Sequence, residues 1–377
     1  MTAPRPGDGG SPTSSLSADV IVVGAGLVGL ASTLALADRG MRVLLVNDTR
    51  RGEASPAAAG MLAPSVEREI GPAHEFGVAA RDHFPVYLAA LRERTGIDVP
   101  LNRLGVLRLA LDDREAEGAR ASLAGDARWL DGRELAELEP ALTHAAGAVF
   151  HPDDGAVNNL VLMRALKHAV GTHGRVQVIG DAVTEVAFGN GQVRASTRDE
   201  RQLSGGQLVL AAGAWAGLLP GLPRPIPVEP VRGQMMSVVS KALRHVVYGG
   251  DGYVVPRHDG RTLVGATMER VGFDADFTEG GVETVRRLGA AIVPALAGAR
   301  MLNAWAGLRP MTPDGLPILD RDPDQPALLY ACGHSRNGVL MAPLTGECIA
   351  DLATGERPGA DLGPFSIRRF GPRGGSS

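Results

Sequence analysis

A six-residue turn near the start of the chain restricts its fold more than any other feature. Residues 18–23 form a short run rich in β-branched side chains, and Gly24-Ala25-Gly26-Leu27-Val28-Gly29 follows at once. Residues 27–39 then read as a helix and 41–46 as a second strand. Strands with no polar face suit a parallel sheet covered on both sides, so this opening predicts a strand–helix–strand unit of an α/β fold. Each glycine has a task in such a unit. Gly24 permits a tight turn, Gly26 lets the backbone approach a pyrophosphate, and Gly29 brings helix and strand together. The free N–H groups and partial positive charge at the helix start complete a phosphate site. GxGxxG in this setting predicts a bound dinucleotide.

The end of the second strand ordinarily carries an acid for the ribose hydroxyls. Asn47 stands there, with Asp48 beside it. An amide still hydrogen-bonds a hydroxyl, and no Arg at either position greets a 2′-phosphate, so NADP is disfavoured. The motif alone leaves NAD and FAD open.

The 377 residues, 44% hydrophobic and 21% charged, suit one large or two interleaved packed domains. A net charge of −4 gives no reason to expect nucleic acid. The uncharged run 20–37 is long enough for a membrane span, but its glycines fit a strand, turn and helix. The Pro/Gly/Ser/Thr-rich start has no apolar stretch of a signal peptide, so a soluble cytoplasmic protein is expected. Residues 1–17 and 369–377 read as flexible tails. Two cysteines, Cys332 and Cys348, make no disulfide framework and read as buried small hydrophobes.

Further along, helical patterns cover 81–95, 112–139, 158–172, 281–291 and 343–353. Strand patterns cover 101–110, 176–186, 192–197, 207–212, 233–239, 252–256, 261–265 and 327–331. Prolines at 223, 225, 227 and 230 mark a linker. The two ends look alike and the middle differs. The expected division is 18–82, 148–226 and 316–368 in a cofactor domain, with 83–147 and 227–315 in a substrate domain.

Three segments, taken together, resemble the glycine oxidase branch of the D-amino-acid oxidase flavoproteins. They are Ser55-Pro-Ala-Ala-Ala-Gly60-Met61-Leu62; Tyr253-Val-Val-Pro-Arg257 with Leu263-Val-Gly-Ala-Thr-Met268; and Trp305-Ala-Gly-Leu-Arg309-Pro-Met-Thr-Pro-Asp314-Gly with Gly333-His-Ser-Arg336-Asn-Gly338. Their order and spacing span residues 18 to about 367. The resemblance implies a Rossmann-like FAD-binding domain interleaved with a smaller α+β substrate domain built on an antiparallel sheet. It implies FAD held noncovalently, since no Cys stands beside Arg309 as in the flavin-tethering sarcosine oxidases. Leu27 and Val28 would sit in the pyrophosphate turn, Asn47 and Asp48 by the ribose, and Ala54 and Ser55 along the diphosphate. Ala59, Gly60 and Met61 would approach the isoalloxazine, Val183 the adenine, and His334, Ser335, Arg336, Asn337, Gly338, Val339 and Leu340 would wrap the ring. On the substrate side, Arg309 matches the carboxylate-binding Arg, Arg336 a second Arg, Tyr253 a hydrogen-bonding Tyr and Met268 a wall residue, with Glu67 an acid near the entrance. An Arg grips a carboxylate with two parallel hydrogen bonds, which suits that role.

The reaction so implied is hydride transfer from a small amino acid to flavin N5, with O₂ reduced to H₂O₂. The imine would hydrolyse to glyoxylate and ammonia or pass to a thiazole synthase for thiamine. A homo-oligomer is also expected. Asp251, Gly252, Met311 and Ser335 depart from the glycine oxidase pattern at the pocket, which leaves a D-amino-acid or sarcosine-type oxidase as an alternative. An NAD-dependent dehydrogenase would be colourless and consume no oxygen, and a flavin binder without turnover would stay yellow with any amine. Gly333-His-Ser335-Arg-Asn337 lacks the second glycine of a nucleophile elbow, and His74-Glu75 lacks the partner His of a zinc site, so no hydrolase or metal site is expected.

Overall fold

The opening run becomes the middle of a sheet in the computed structural model, which describes residues 15–67, 71–189 and 191–371. Strand Ser15–Val23 lies parallel to both Val43–Val46 and Gln202–Leu210, and Val176–Ile179 extends the same edge. Gln202–Leu210 serves two neighbours. Its residues 208–210 pair in parallel with Leu328–Cys332, while 202–205 pair antiparallel with Gln192–Thr197, which turns back to Val183–Gly189. Alternate side chains of the first strand enter two cores: Val20 and Val22 face the helices Leu27–Asp38 and Gly338–Thr354, and Ile21 and Val23 face the opposite side with Leu210 and Tyr330. Burial on both faces is why residues 20–23 of the strand lack a polar side. The uncharged run 20–37 divides between strand, turn and helix, and no helix among the described residues is long and apolar enough to cross a membrane.

A second eight-stranded sheet runs in the order Met301–Met311, Glu229–Val239, Arg261–Gly265, Gly252–Pro256, Val246–Gly249, Val106–Ala110, Gly147–His151 and Arg128–Asp131. All its pairings are antiparallel except Val246–Gly249 with Val106–Ala110. Helix Glu279–Ile292 covers one face through Val285 and Ile292.

Several expected boundaries shift. The run 101–110 splits into Leu101–Asn102 and Val106–Ala110 in different sheets, turning at Gly105, where φ is +96° and a Cβ would sit 2.4 Å from the Phe150 ring. The pattern 112–139 breaks into two helices around strand Arg128–Asp131, each started by an aspartate: Asp112 accepts from the Glu115 N–H, and Asp131 forms a capping box with Glu134. Residues 83–95, expected in the substrate domain, belong to helix Pro72–Thr95, whose Phe84, Leu88 and Leu91 pack in the first core. Residues 148–151, expected on the cofactor side, lie in the second sheet. Ser15–Ser17 are no tail; they pair with residues 202–204. Arg369 and Phe370 close a short helical turn, Ile367–Phe370, with Arg369 bonded to Asp314 at 2.7 Å. The rest of the expected tails, 1–14 and 372–377, lies outside the described residues.

Candidate functional site

One cleft of about 530 Å³ runs from the glycine turn to the second sheet. At the turn, Gly24 has φ +104°, and a Cβ there would come 2.4 Å from the Ala211 carbonyl oxygen. A Cβ on Gly29 would come 1.9 Å from the Gly24 carbonyl oxygen, so the helix seats directly on the turn. Asn47 Oδ1 accepts the Ala25 N–H at 2.8 Å, and Ser55 Oγ accepts the Leu27 N–H at 3.0 Å. Two polar side chains from later segments thus hold the phosphate turn in shape. Gly24, Gly26, Val28, Asn47, Asp48, Ala54 and Ser55 line the cleft. Leu27 and Gly29 do not; Leu27 points into the core and contributes only backbone. Asp181 to Thr184, Val183 among them, form the far end, where Asp48 is ion-paired with Arg198.

Midway, Ala59, Gly60 and Met61 face Gly333 to Arg336, Gly338 and Val339. Gly60 has φ +75°, and a Cβ would meet the Val157 carbonyl oxygen at 2.0 Å. Arg257 clips this segment: it donates to the Ala59 and Val157 carbonyls, both at 2.9 Å, and to Asn159 Oδ1 at 3.1 Å, while Asn159 donates to the Ser55 carbonyl at 2.8 Å. With no carboxylate among these partners, burial pulls the Arg257 guanidinium down to about 10. Asn337 and Leu340, expected around the ring, are not on the cleft wall; Asn337 is the residue just before the last helix and Leu340 packs in the first core.

His334 is buried on this wall, its Nε2 3.1 Å from Thr345 Oγ1, and burial pushes its pKa down to about 3. An unfolded imidazole takes up its proton near pH 6.5, so the contribution of a neutral His334 is complete above that pH and is lost as acidity grows toward 3. Between pH 7 and 4.5 the loss is expected to be about 2–3 kcal/mol in urea unfolding. H334N should flatten that dependence; an unchanged slope in the variant would assign acid sensitivity to other groups.

At the inner end, Arg309 projects from strand Met301–Met311 and donates to the Thr267 carbonyl at 3.1 Å. Its guanidinium occupies the space a side chain at Gly233 would fill, 2.2 Å from that ideal Cβ. Tyr253 lies beside it, with Oη 3.8 Å from Met235 Sδ. Burial raises the Tyr253 pKa while the nearby guanidinium opposes the rise, so the phenol stays protonated and can donate. Tyr248 pairs with Tyr253 across a hairpin, ring centroids 5.6 Å apart, and its Oη donates to Glu67 Oε1 at 2.9 Å. Arg336 donates to the same oxygen, also at 2.9 Å. Met268, expected as a wall, is 56% exposed and lies off the cleft. Tyr248, Arg257, Asn159 and Gly233 were not anticipated. For Tyr248 a signal existed: Tyr248-Gly-Gly-Asp-Gly-Tyr253 is a glycine-rich turn between two tyrosines that a hairpin places side by side.

The cleft fits FAD by its own geometry. Glycines stand wherever a Cβ would obstruct the turn or the mid-wall, a helix begins at the turn, and the lining is continuous from Thr184 to Arg309. Residues 19–352 match the DAO family, described as FAD dependent oxidoreductase. A glycine oxidase of Geobacillus kaustophilus is 35% identical over 93% of this chain and 97% of its own length. The crystal structure of glycine oxidase from that organism superposes with a TM-score of 0.88 at 33% identity, covering 94% of this chain and 99% of the other. The Bifunctional protein ThiO/ThiG of Synechocystis sp. is 34% identical over 94% of this chain, which spans only 54% of that longer protein. With the dinucleotide turn, the lined cleft and these likenesses in agreement, the chain belongs to the DAO family of FAD-dependent oxidoreductases.

Proposed function

We propose that this protein oxidises glycine to its imino acid with O₂ as the final electron acceptor. The observation that carries this reading is the convergence of Arg309 and Tyr253 on one end of the cleft that also holds the phosphate turn. Arg309 holds the substrate carboxylate through two parallel N–H donors, and Tyr253 adds a hydroxyl bond. The Tyr248 and Tyr253 rings with Met235 form an apolar surround that keeps water off the reacting carbon. Ala59 to Met61, with His334 to Arg336, Gly338 and Val339, would hold the isoalloxazine between them, and the turn at Gly24, Gly26 and Val28 would hold the diphosphate. Asn47 and Asp48 face the ribose, and Val183 the adenine. FAD, when bound, accepts a hydride from the substrate Cα and passes both electrons to dioxygen, giving hydrogen peroxide. The protein's share of the rate is position: the carboxylate is pinned, so the Cα–H is presented in one orientation. The imine then takes up water to give glyoxylate and ammonia, or is handed to a thiazole-forming partner. The match to about half of the Synechocystis ThiO/ThiG protein supports the second fate.

Anaerobic bleaching of the yellow protein tests the reading. Glycine is expected to bleach the visible spectrum faster than sarcosine or D-alanine at equal concentration, and in air to yield one H₂O₂ per molecule oxidised. A spectrum that none of the three bleaches removes amine oxidation; sarcosine or D-alanine in the lead moves the substrate within the family.

A further inference from the structure

We propose that Glu67 is the amine-binding group of the cleft: its Oε2 accepts an N–H hydrogen bond from the amino nitrogen of the substrate. The proposal rests on the reading that the substrate carboxylate lies on Arg309.

The Glu67 side chain is only 10% exposed and lines the same cleft as Arg309 and Tyr253. Its two oxygens are unequal. Oε1 takes hydrogen bonds from Tyr248 Oη and Arg336 Nη2, both at 2.9 Å, whereas Oε2 is buried with no partner among the described residues. An ionised carboxylate has about four acceptor sites, and a buried acceptor without a donor is unfavourable. A role confined to bracing Tyr248 and Arg336 leaves Oε2 unexplained. A donor on the ligand satisfies it.

The tyrosine pair puts that acceptor in register with the carboxylate site. Tyr253 stands beside Arg309, Tyr248 carries Glu67, and the two rings are hairpin neighbours 5.6 Å apart. At this end of the cleft Arg309 offers a positive group and Glu67 a negative one. The complement of this arrangement is a small molecule with a carboxylate at one end and an N–H donor one carbon away. An N–H bond to a carboxylate also directs electron density onto nitrogen, the density that must follow when a hydride leaves the adjacent carbon.

E67Q gives a clean test because its outcome is dictated by the existing contacts. Tyr248 and Arg336 both donate to Oε1, so the amide oxygen must stay there and the amide NH₂ replaces Oε2, turning an acceptor into a donor. The holoenzyme variant is compared with the parent by titrating acetate against the flavin spectrum and by the glycine dependence of anaerobic bleaching. Glycine is expected to bind roughly 10- to 100-fold more weakly and acetate, which has no amine, within about twofold of the parent. Equal weakening of both, or of neither, overturns the proposal. A measurement on the unaltered enzyme repeats the contrast: glycolate, with a hydroxyl donor where glycine has its amine, should bind at least roughly tenfold more tightly than propionate, of the same size. Propionate binding as well as glycolate overturns the proposal without any variant. Acetate binding that survives R309A instead overturns the carboxylate reading, and this proposal falls with it.

Discussion

Replacing Arg309 with alanine is expected to lower kcat/KM for glycine by roughly 100- to 1000-fold, about 3–4 kcal/mol of transition-state binding, while FAD stays bound. Most of the loss should fall on KM, because the pinned carboxylate is present in both ground and transition states. The fold should tolerate the change. Arg309 donates to the Thr267 carbonyl, just past strand Arg261–Gly265, and fills space beside Gly233, which has no side chain to lose a contact. R309K should recover only part of the loss, since an ammonium keeps the charge but not the fork of parallel donors. Steady-state kinetics with glycine and the ratio of flavin to protein absorbance decide the matter. A variant with unchanged kinetics would place the carboxylate elsewhere.

The second large effect is expected from Gly29→Ala. The added methyl would lie 1.9 Å from the Gly24 carbonyl oxygen and 3.3 Å from Ala211 Cβ. The nearer obstacle is backbone, so no rotamer change relieves it, and the helix must lift off the turn that shapes the phosphate site. The variant should purify without yellow colour and lose about 3 kcal/mol or more of stability. Gly118→Ala is the control: it lies in helix Asp113–Ala121 with open space around its ideal Cβ, and should be neutral or slightly stabilising. A yellow G29A protein melting with the parent would mean the turn can open without losing its ligand.

How much of this could be read from residues alone varied with the range of the interaction. The glycine turn carries its geometry locally, and 18–29 read as strand, turn and helix from chain chemistry alone. The hairpin strands Gly252–Pro256 and Arg261–Gly265 were also visible, being short apolar runs between turn residues. Helix Pro72–Thr95 was read nine residues short, because its first turns carry little helical periodicity and are fixed by packing of Phe76 and Ala80 in the first core. The split of 101–110 between two sheets depends on Phe150, some forty positions on, lying against Gly105. No local pattern reports such a contact. The same holds at the cleft. Arg309 and Tyr253 stood out by resemblance, but Arg257 acts through carbonyls at Ala59 and Val157, partners that leave no mark in a sequence. Met268 failed for the opposite reason, since a matching position gave no information on where its side chain turns.

The seating of the last helix on the first has a consequence for biosynthesis. Leu30 and Leu34 of Leu27–Asp38 share a core with Leu340, Ile349 and Ala353 of Gly338–Thr354. The element that opens the nucleotide turn is therefore made before its cover, which follows some 300 residues later. At about 5–20 residues per second, that interval is roughly 15–60 s. During it, the apolar flank of a nascent helix lacks its permanent neighbour. The nucleotide turn is therefore expected to hold flavin only once the last helix has been made and seated.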